Sequence, residues 1–373
     1  MSLTKHIVVL PGDGIGPEVT NQSLRVLDAI SKKFGHEFQY SFGLIGADAI
    51  EKTGDPLPQA TIDICKNADA VLFGAVGEHK YDNDHHTNIR PEQGLMRIRK
   101  ELGLFANIRH IVSHPSVAHL SPLRASRLEN VNIVIFRELT GGLYMGERHL
   151  SEDGTSATDT CSYNQFEIER ISKYAFQLAQ KRKRKVTLID RANVLETSRL
   201  WRRTVHNMSG SYPDVELEYM YVDTAATQLI ANPARFDVIL TENLFGDILS
   251  HEAAVLSGSP SLIPSASIGP KTAFFEPIHG SFPAGKGKDI ANPLGSILSA
   301  AGMLEYLEMY AESAAIKHAV KWTLENGFVT KDIDPVNFYF TSTIGEMISD
   351  RILQASNDPV IWENILMRKS TII

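Results

Sequence analysis

The sequence predicts an α/β protein of two domains, and three observations carry that reading. The chain has 373 residues, about two domains' worth at roughly 100–200 residues each. Short apolar runs alternate with stretches that repeat apolar residues at helical spacing, and glycines close the apolar runs. Residues 6–10 form such a run, ending in PGDGIG, and residues 17–30 then show helical periodicity. Residues 70–73, in AVLFGAVG, read as a second buried strand ending in glycines. Strand, glycine turn and helix in repetition argue for a mostly parallel sheet with helices on both faces. In such sheets the working residues gather at the carboxyl ends of the strands.

From about Leu104 the texture changes. Residues 131–136 read as a strand, followed by Gly141, Gly142 and a polar stretch rich in Thr, Ser and Gly, which suggests a projecting hairpin or arm. Helical patterning returns at 165–181, strands are expected at 186–189 and 236–240, and residues 243–256 form an amphipathic helix. After the Pro-, Ser- and Gly-rich segment 257–270, helices are expected to dominate.

Composition narrows the function. Hydrophobic residues are 43% and charged residues 22%, so the chain can build a real core. Lys plus Arg number 37 against 44 for Asp plus Glu, a net charge of −7, which gives no general attraction to phosphate backbones or anionic lipid. Neither nucleic acid nor membrane is expected as a partner, although a local basic cleft for a small acid is compatible with this balance. Cys65 and Cys161 are too few for a disulfide framework or zinc cluster, which suits the reducing cytoplasm. The apolar run before Pro11 is too short for a signal-peptide core, and no charge-free run approaches the ~18 residues of a spanning helix.

PGDGIGPEV follows a strand and opens a helix, but Gly12, Gly14 and Gly16 give G-x-G-x-G rather than the dinucleotide fingerprint. Asp13 would also place a carboxylate where a pyrophosphate should sit. Two readings stay open here, a cofactor turn and a plain tight βα turn. The basic run 181–185 is read as a solvated helix C-terminus rather than a nucleic-acid patch. His85 and His86 lie in a polar loop, and their adjacency is read as chance.

Arg99, Arg109 and Arg137 fall near loop or strand edges. A guanidinium is a rigid bidentate fork for carboxylate, so three converging would recognise a polycarboxylic acid; singly, each suits a surface ion pair. Asp247 and His251 stand at i and i+4, on one helix face, and Asp223 ends the apolar stretch EYMYVD. Acidic groups so placed can hold a hard divalent cation. Alternatively, Asp247 complements a helix N-terminus and His251 is a satisfied histidine.

Taken together and in order, PGDGIGPEV, RPEQGLMRIRKELGLFANIR, RELTGGLYMGE, DRANVLETSRLWRRTV, YVDTAATQLI, NLFGDILSHEAAVLSGS, LIPSAS and EPIHGS…IANP resemble the isopropylmalate dehydrogenases. These belong to the wider β-decarboxylating dehydrogenase family, with its isocitrate, homoisocitrate and tartrate branches. RPEQGLMRIRK with Leu95 is similar to the isopropylmalate branch. The resemblance implies two α/β domains with the site in a cleft between them, a fold distinct from a typical Rossmann domain. Residues 1–104 and 258–373 would be the larger cofactor-binding domain. Residues 105–257 would be the smaller substrate and dimerisation domain, with an arm near 144–163.

It further implies oxidation of a 2-hydroxy, 3-alkylmalate-like dicarboxylate by NAD, or NADP, then metal-assisted decarboxylation with Mg²⁺ or Mn²⁺, in a homodimer with shared sites. By motif, Arg99, Arg109 and Arg137 would grip the substrate carboxylates, and Tyr144 would protonate the enol carbon. Asp247 and a partner's Asp223 would bind the metal. Glu92 and Asn193 would lie near the nicotinamide, and His279, Gly280 and Asn292 would contact the adenosine portion. Leu95, Met96 and Val194 would line an alkyl pocket.

Three positions depart from the pattern. Arg191 replaces the lysine that helps remove the hydroxyl proton, and a guanidinium with a pKa above about 12 cannot be a base near neutrality. His251 replaces a metal-binding aspartate, which weakens the site for a hard ion or turns it toward a softer one. Ala284 replaces the acid that bonds the adenosine ribose, with Lys286 and Lys288 nearby, which admits NADP. Carboxylate recognition is kept while the redox machinery is altered. The sequence is therefore read as a β-decarboxylating dehydrogenase of the isopropylmalate type, with altered base and metal ligand. The alternatives are an impaired paralogue that binds an acidic metabolite or serves as a dimer partner, and an enzyme for another hydroxy acid.

Overall fold

The computed structural model describes residues 3–81 and 89–354, so His85 and His86 lie outside the described residues. Two units emerge: residues 3–81, 89–104, 114–120 and 258–354, and residues 105–113 with 121–257.

The first unit is built on β1 (Thr4–Gly12), β2 (Glu37–Phe42), β3 (Ala70–Ala75), β11 (Pro264–Ile268) and β12 (Ala273–Pro277), in the order β2-β1-β3-β12-β11. All pairings are parallel except the β11–β12 hairpin. Every residue of β3 is buried, as expected for a strand covered on both faces. Helices α1 (Gly16–Phe34), α2 (Ala47–Thr53), α3 (Gln59–Lys66), α4 (Pro91–Glu101), α10 (Leu294–Tyr306), α11 (Tyr310–Glu325) and α12 (Thr341–Gln354) complete the unit. Pro17 starts α1 with its fixed φ, and Gly35 ends it in the left-handed region, its amide 2.9 Å from the Ser31 carbonyl. Beyond residue 270 helices dominate as expected, α10, α11 and α12 following the one strand β12, while β11 lies within the segment 257–270; neither strand is among those expected from the sequence. Both are short and buried apart from half-buried Pro264, so they carry no polar alternation, and the Pro- and Ser-rich LIPSAS conceals a strand.

The glycine turn is a packing device. A β-carbon at Gly12 would stand 1.9 Å from the Ala75 carbonyl oxygen, and one at Gly14 would stand 2.0 Å from that of Ser281. Both glycines also have positive φ. The Asp13 carboxylate accepts the amides of Ala47 (2.8 Å), Asp48 (3.0 Å) and Gly77 (3.0 Å), capping α2 and fastening the loop after β3. The glycines thus serve the close packing of a tight βα turn, and Asp13 faces amides of its own chain.

The second unit holds β4 (Ala106–Val112), β5 (Asn132–Glu138), β8 (Lys185–Asp190), β9 (Glu216–Tyr221) and β10 (Val238–Thr241), in the order β4-β5-β10-β8-β9. Only β4 runs antiparallel among these pairings. Helices α5 (Ala125–Leu128), α6 (Gln165–Gln180), α7 (Glu196–Ser209), α8 (Val222–Ala231) and α9 (Asn243–Ala253) accompany them. Asn164 and Glu167 form a reciprocal capping box that starts α6. β6 (Arg148–Leu150) and β7 (Ala157–Asp159) pair as an exposed antiparallel hairpin within the polar stretch after Gly142.

The basic run at 181–185 follows the C-terminus of α6 with Lys181, Lys183 and Arg184 exposed, as its sequence reading has it, while two of its members are tied down. Arg182 bonds buried Asp237 at 2.8 Å and the Asn132 carbonyl at 2.9 Å, while Lys185 opens β8 and meets Glu216 and Glu218. Cys65 and Cys161 are free thiols. No helix among the described residues is long and apolar enough to cross a membrane.

Candidate functional site

In the second unit, register brings the cationic groups together. Asn107 on β4 stands opposite Arg137 on β5, and Arg109, two residues along, shares the face of Asn107. Parallel pairing aligns Arg137 with Thr241 at the end of β10, from which α9 departs carrying Asp247. Gly246 lets that helix approach: a β-carbon there would lie 2.8 Å from the Arg137 Cβ.

The result is a cluster around one carboxylate. Arg137 donates through Nη1 to Asp247 Oδ1, and Arg109 Nη2 lies 3.5 Å from the same oxygen. The Tyr144 hydroxyl donates to Asp247 Oδ2 at 3.3 Å, and His251 Nε2 stands 3.7 Å from Oδ1, one turn along α9. Neutral acceptors orient the forks: Arg109 Nε donates to Asn107 (2.9 Å) and its Nη1 to Ser250 (2.5 Å), while Arg137 Nε donates to Asn243 (2.9 Å). The Arg137 guanidinium also lies 5.7 Å from the Tyr144 ring centre. Two nearly buried guanidiniums thus converge on one in-chain carboxylate and form a cationic ledge around it.

Electrostatics assign proton states. Partial burial, reinforced by Asp247 and opposed by Arg137, raises the Tyr144 phenol above its ordinary range, so it keeps its proton at neutral pH. Desolvation first, then Arg109, lowers His251 despite Asp247, so the imidazole is neutral and one ring nitrogen offers a lone pair.

Arg191 and Asp223 face one another, Nη1 to Oδ2 at 2.5 Å, and this bond holds the exposed Asp223 carboxyl below its usual range. Asp223 lies in the first turn of α8, just past the end of β9. Arg191 sits in the turn after β8, which α7 holds from three directions. Ser198 accepts the Arg191 amide (3.1 Å), Arg199 Nε donates to the Ala192 carbonyl (2.9 Å), and Arg202 bonds Asp190 through both nitrogens (2.9 and 2.8 Å). Asn193 and Val194 are exposed on this turn.

The remaining predicted residues lie in the first unit. Arg99 lies in the last turn of α4, close to the loop that follows, and donates from Nη2 to Glu276 at 3.0 Å. Glu92 occupies the first turn of α4, where a carboxylate suits the dipole, with half-buried Leu95 and Met96 one turn on. His279 is held toward its neutral form chiefly by burial, and its Nε2 is enclosed without a hydrogen-bond partner. Asn292 bonds Asp332 at 3.2 Å. Gly280, Ala284, Lys286 and Lys288 are exposed, and Phe282 adopts a positive φ of 39°. A cavity of about 370 Å³ opens beside Asp13 and the residues around it, with Asp48, Glu51, Glu78 and Lys286 in its wall.

A neutral, enclosed imidazole and uncharged amides suit an uncharged heterocycle such as adenine, so the first unit fits a nucleotide cofactor. The metal is different. Among the described residues no group of three or more His, Cys, Asp or Glu assembles, and Asp223 is engaged by Arg191 rather than by Asp247. Among the described residues Asp247 and His251 form a pair and no larger set, which does not make a complete cation site. Sequence reasoning missed Asn107, Asn243, Ser250 and Glu276, the partners that aim the arginines. Only Asn107 had a legible signal, its i, i+2 spacing from Arg109 on one strand.

The profile of the Isocitrate/isopropylmalate dehydrogenase family matches residues 6–348. The 3-isopropylmalate dehydrogenase of Bacteroides fragilis is 50% identical over 351 residues, covering 94% of this chain and 99% of the relative. That of Aquifex aeolicus is 49% identical, covering 93% and 96%. Among solved structures, isocitrate dehydrogenase from Methylococcus capsulatus superposes with a TM-score of 0.85 at 34% identity over 94% of this chain and 100% of that one. A β-decarboxylating dehydrogenase from Thermococcus kodakarensis gives 0.77 at 34% identity over 93% and 96%.

Proposed function

The chain belongs to the isocitrate/isopropylmalate dehydrogenase family, an NAD(P)-dependent β-decarboxylating class, and from that premise we propose that it oxidises a 3-alkylmalate-like 2-hydroxy diacid. The observation that carries the substrate class is the convergence of Arg109 and Arg137 on one ledge. Those forks bind one substrate carboxylate; the family resemblance alone assigns Arg99 to another carboxylate and Leu95, Met96 and Val194 to the alkyl group. Tyr144, protonated at neutral pH, delivers a proton to the enol carbon left by decarboxylation. Arg191 orients the 2-hydroxyl or a proton-carrying water, because a guanidinium cannot accept the proton itself.

Glu92, Asn193, His279, Gly280 and Asn292 would hold the nicotinamide cofactor, which would supply a hydride acceptor for C2. Ala284 offers the adenosine ribose no carboxylate, and Lys286 and Lys288 favour a 2′-phosphate, so NADP competes with NAD. A homodimer would bring Asp223 of a second copy to Asp247 and His251. That mixed oxygen and nitrogen set favours Mn²⁺ or Zn²⁺ over Mg²⁺. The test is reduction of NAD and NADP with isopropylmalate, isocitrate, tartrate and malate under each metal. Turnover highest with an alkylmalate supports the proposal, and no turnover with any acid overturns it.

Arg191 and His251 also favour a second reading, an impaired paralogue that binds the acid without turning it over. Diacid binding by calorimetry without cofactor reduction selects it.

A further inference from the structure

Glu242 is 4% exposed and precedes α9 as its N-cap residue. Its carboxylate accepts the hydroxyl of fully buried Ser198, which in turn accepts the Arg191 amide at 3.1 Å. Its backbone carbonyl accepts the Gly246 amide at 2.9 Å, the first bond of the helix that carries Asp247 and His251. One buried acid is therefore joined through its side chain to the turn bearing Arg191 and through its main chain to the helix bearing Asp247.

We infer that Glu242 is a positioning residue for this site, its charge transmitted through Ser198 to the backbone of the Arg191 turn. The inference rests on the assignment of Arg191 and Asp247 to the dehydrogenase site.

The surroundings make that charge adjustable. Burial, with Asp190 reinforcing and Ser198 opposing, pushes the Glu242 carboxyl up to about 7. The titratable groups facing it are Asp190 at the end of β8, neutralised by Arg202, and Cys161 and Tyr163 before α6. Burial raises both the Cys161 thiol and the Tyr163 phenol, so both are uncharged at neutral pH, and Tyr163 accepts the Asn243 amide at 2.9 Å. Glu242 is thus the group in this cluster whose charge changes near neutrality. When ionised it takes a charge-assisted bond from Ser198, roughly twice as strong as a neutral one. When protonated it relaxes that bond, and the Arg191 amide loses a fixed acceptor.

The test uses two readouts on the full-length protein with selectively ¹⁵N-labelled arginine, the Arg191 amide being assigned by its absence in R191K. In the parent, that amide shift should titrate with a midpoint near pH 7, and kcat should fall on the acid side of the same midpoint while KM for the diacid stays within about twofold. E242Q and S198A should each flatten the amide titration and remove the kcat inflection, leaving kcat about threefold to tenfold below the parent at alkaline pH. A parent amide that does not titrate, or an E242Q protein with the parent's titration and kcat profile, would overturn the inference. If the amide titrates as described while no variant oxidises any acid, the linkage through Glu242 stands and the dehydrogenase assignment fails.

Discussion

Replacing Asp247 by asparagine keeps the shape of the ledge and removes the negative charge that faces Arg109 and Arg137. Those guanidiniums are 8% and 6% exposed, and the carboxylate is 27% exposed. Arg137 makes a full charge-assisted bond to it, worth about 1.5–3 kcal/mol, and Arg109 at 3.5 Å contributes a fraction of that. Breaking a fully buried pair costs about 3–5 kcal/mol, and the partial exposure of Asp247 brings the expected loss to about 2–3 kcal/mol. At about 2.1 cal/mol/K of unfolding entropy per residue, 373 residues give about 1.3 °C per kcal/mol, so Tm falls by about 3–4 °C. The ledge then carries unbalanced positive charge, so a free dicarboxylate should stabilise D247N more than the parent. At 100 times its Kd it returns about 2.7 kcal/mol. Thermal unfolding with and without malonate or isopropylmalate checks both halves. A variant as stable as the parent that gains nothing from diacid would show that the arginines do not form an anion site.

Three more outcomes follow from the same geometry. R191K places a titratable amine opposite Asp223 and should raise kcat, by up to the roughly 10²–10⁴ that acid–base help supplies; unchanged turnover in cofactor reduction would remove Arg191 from proton handling. Folding lifts the Glu242 carboxyl from 4.5 to about 7, so the native state holds a proton that the unfolded chain releases earlier. Stability therefore falls as pH rises through that window, by on the order of 3 kcal/mol, and denaturant titrations should find this slope reduced in E242Q. G246A pushes a methyl against the Arg137 Cβ and should cost about 1–3 kcal/mol and weaken diacid binding, measured by Tm and calorimetry.

Much of the local plan is written in the sequence because it depends on neighbours along the chain. Periodicity reveals α1, α6 and α9, apolar runs reveal β1, β3 and β5, and the i, i+4 spacing of Asp247 and His251 already puts them on one face. Negative net charge points away from polyanions, and Arg99, Arg109 and Arg137 admit a small acid if they converge. β11 and β12 escape notice, since strands covered on both faces carry no alternating signal.

Pairing between distant segments lies beyond such reading. Asn107 meets Arg137 only through antiparallel register, and Arg137 meets Asp247 only because β10 aligns with β5 before α9 begins. Arg182 is a buried partner of Asp237, 55 residues away, within a run that looks merely solvated. Asp13 caps amides 34 and 64 residues onward. Residue identity and short-range periodicity determine which groups exist and which local face they occupy. Which charge meets which is decided by sheet register and close packing, because a charge-assisted bond acts over a few ångströms of space whatever the separation along the chain.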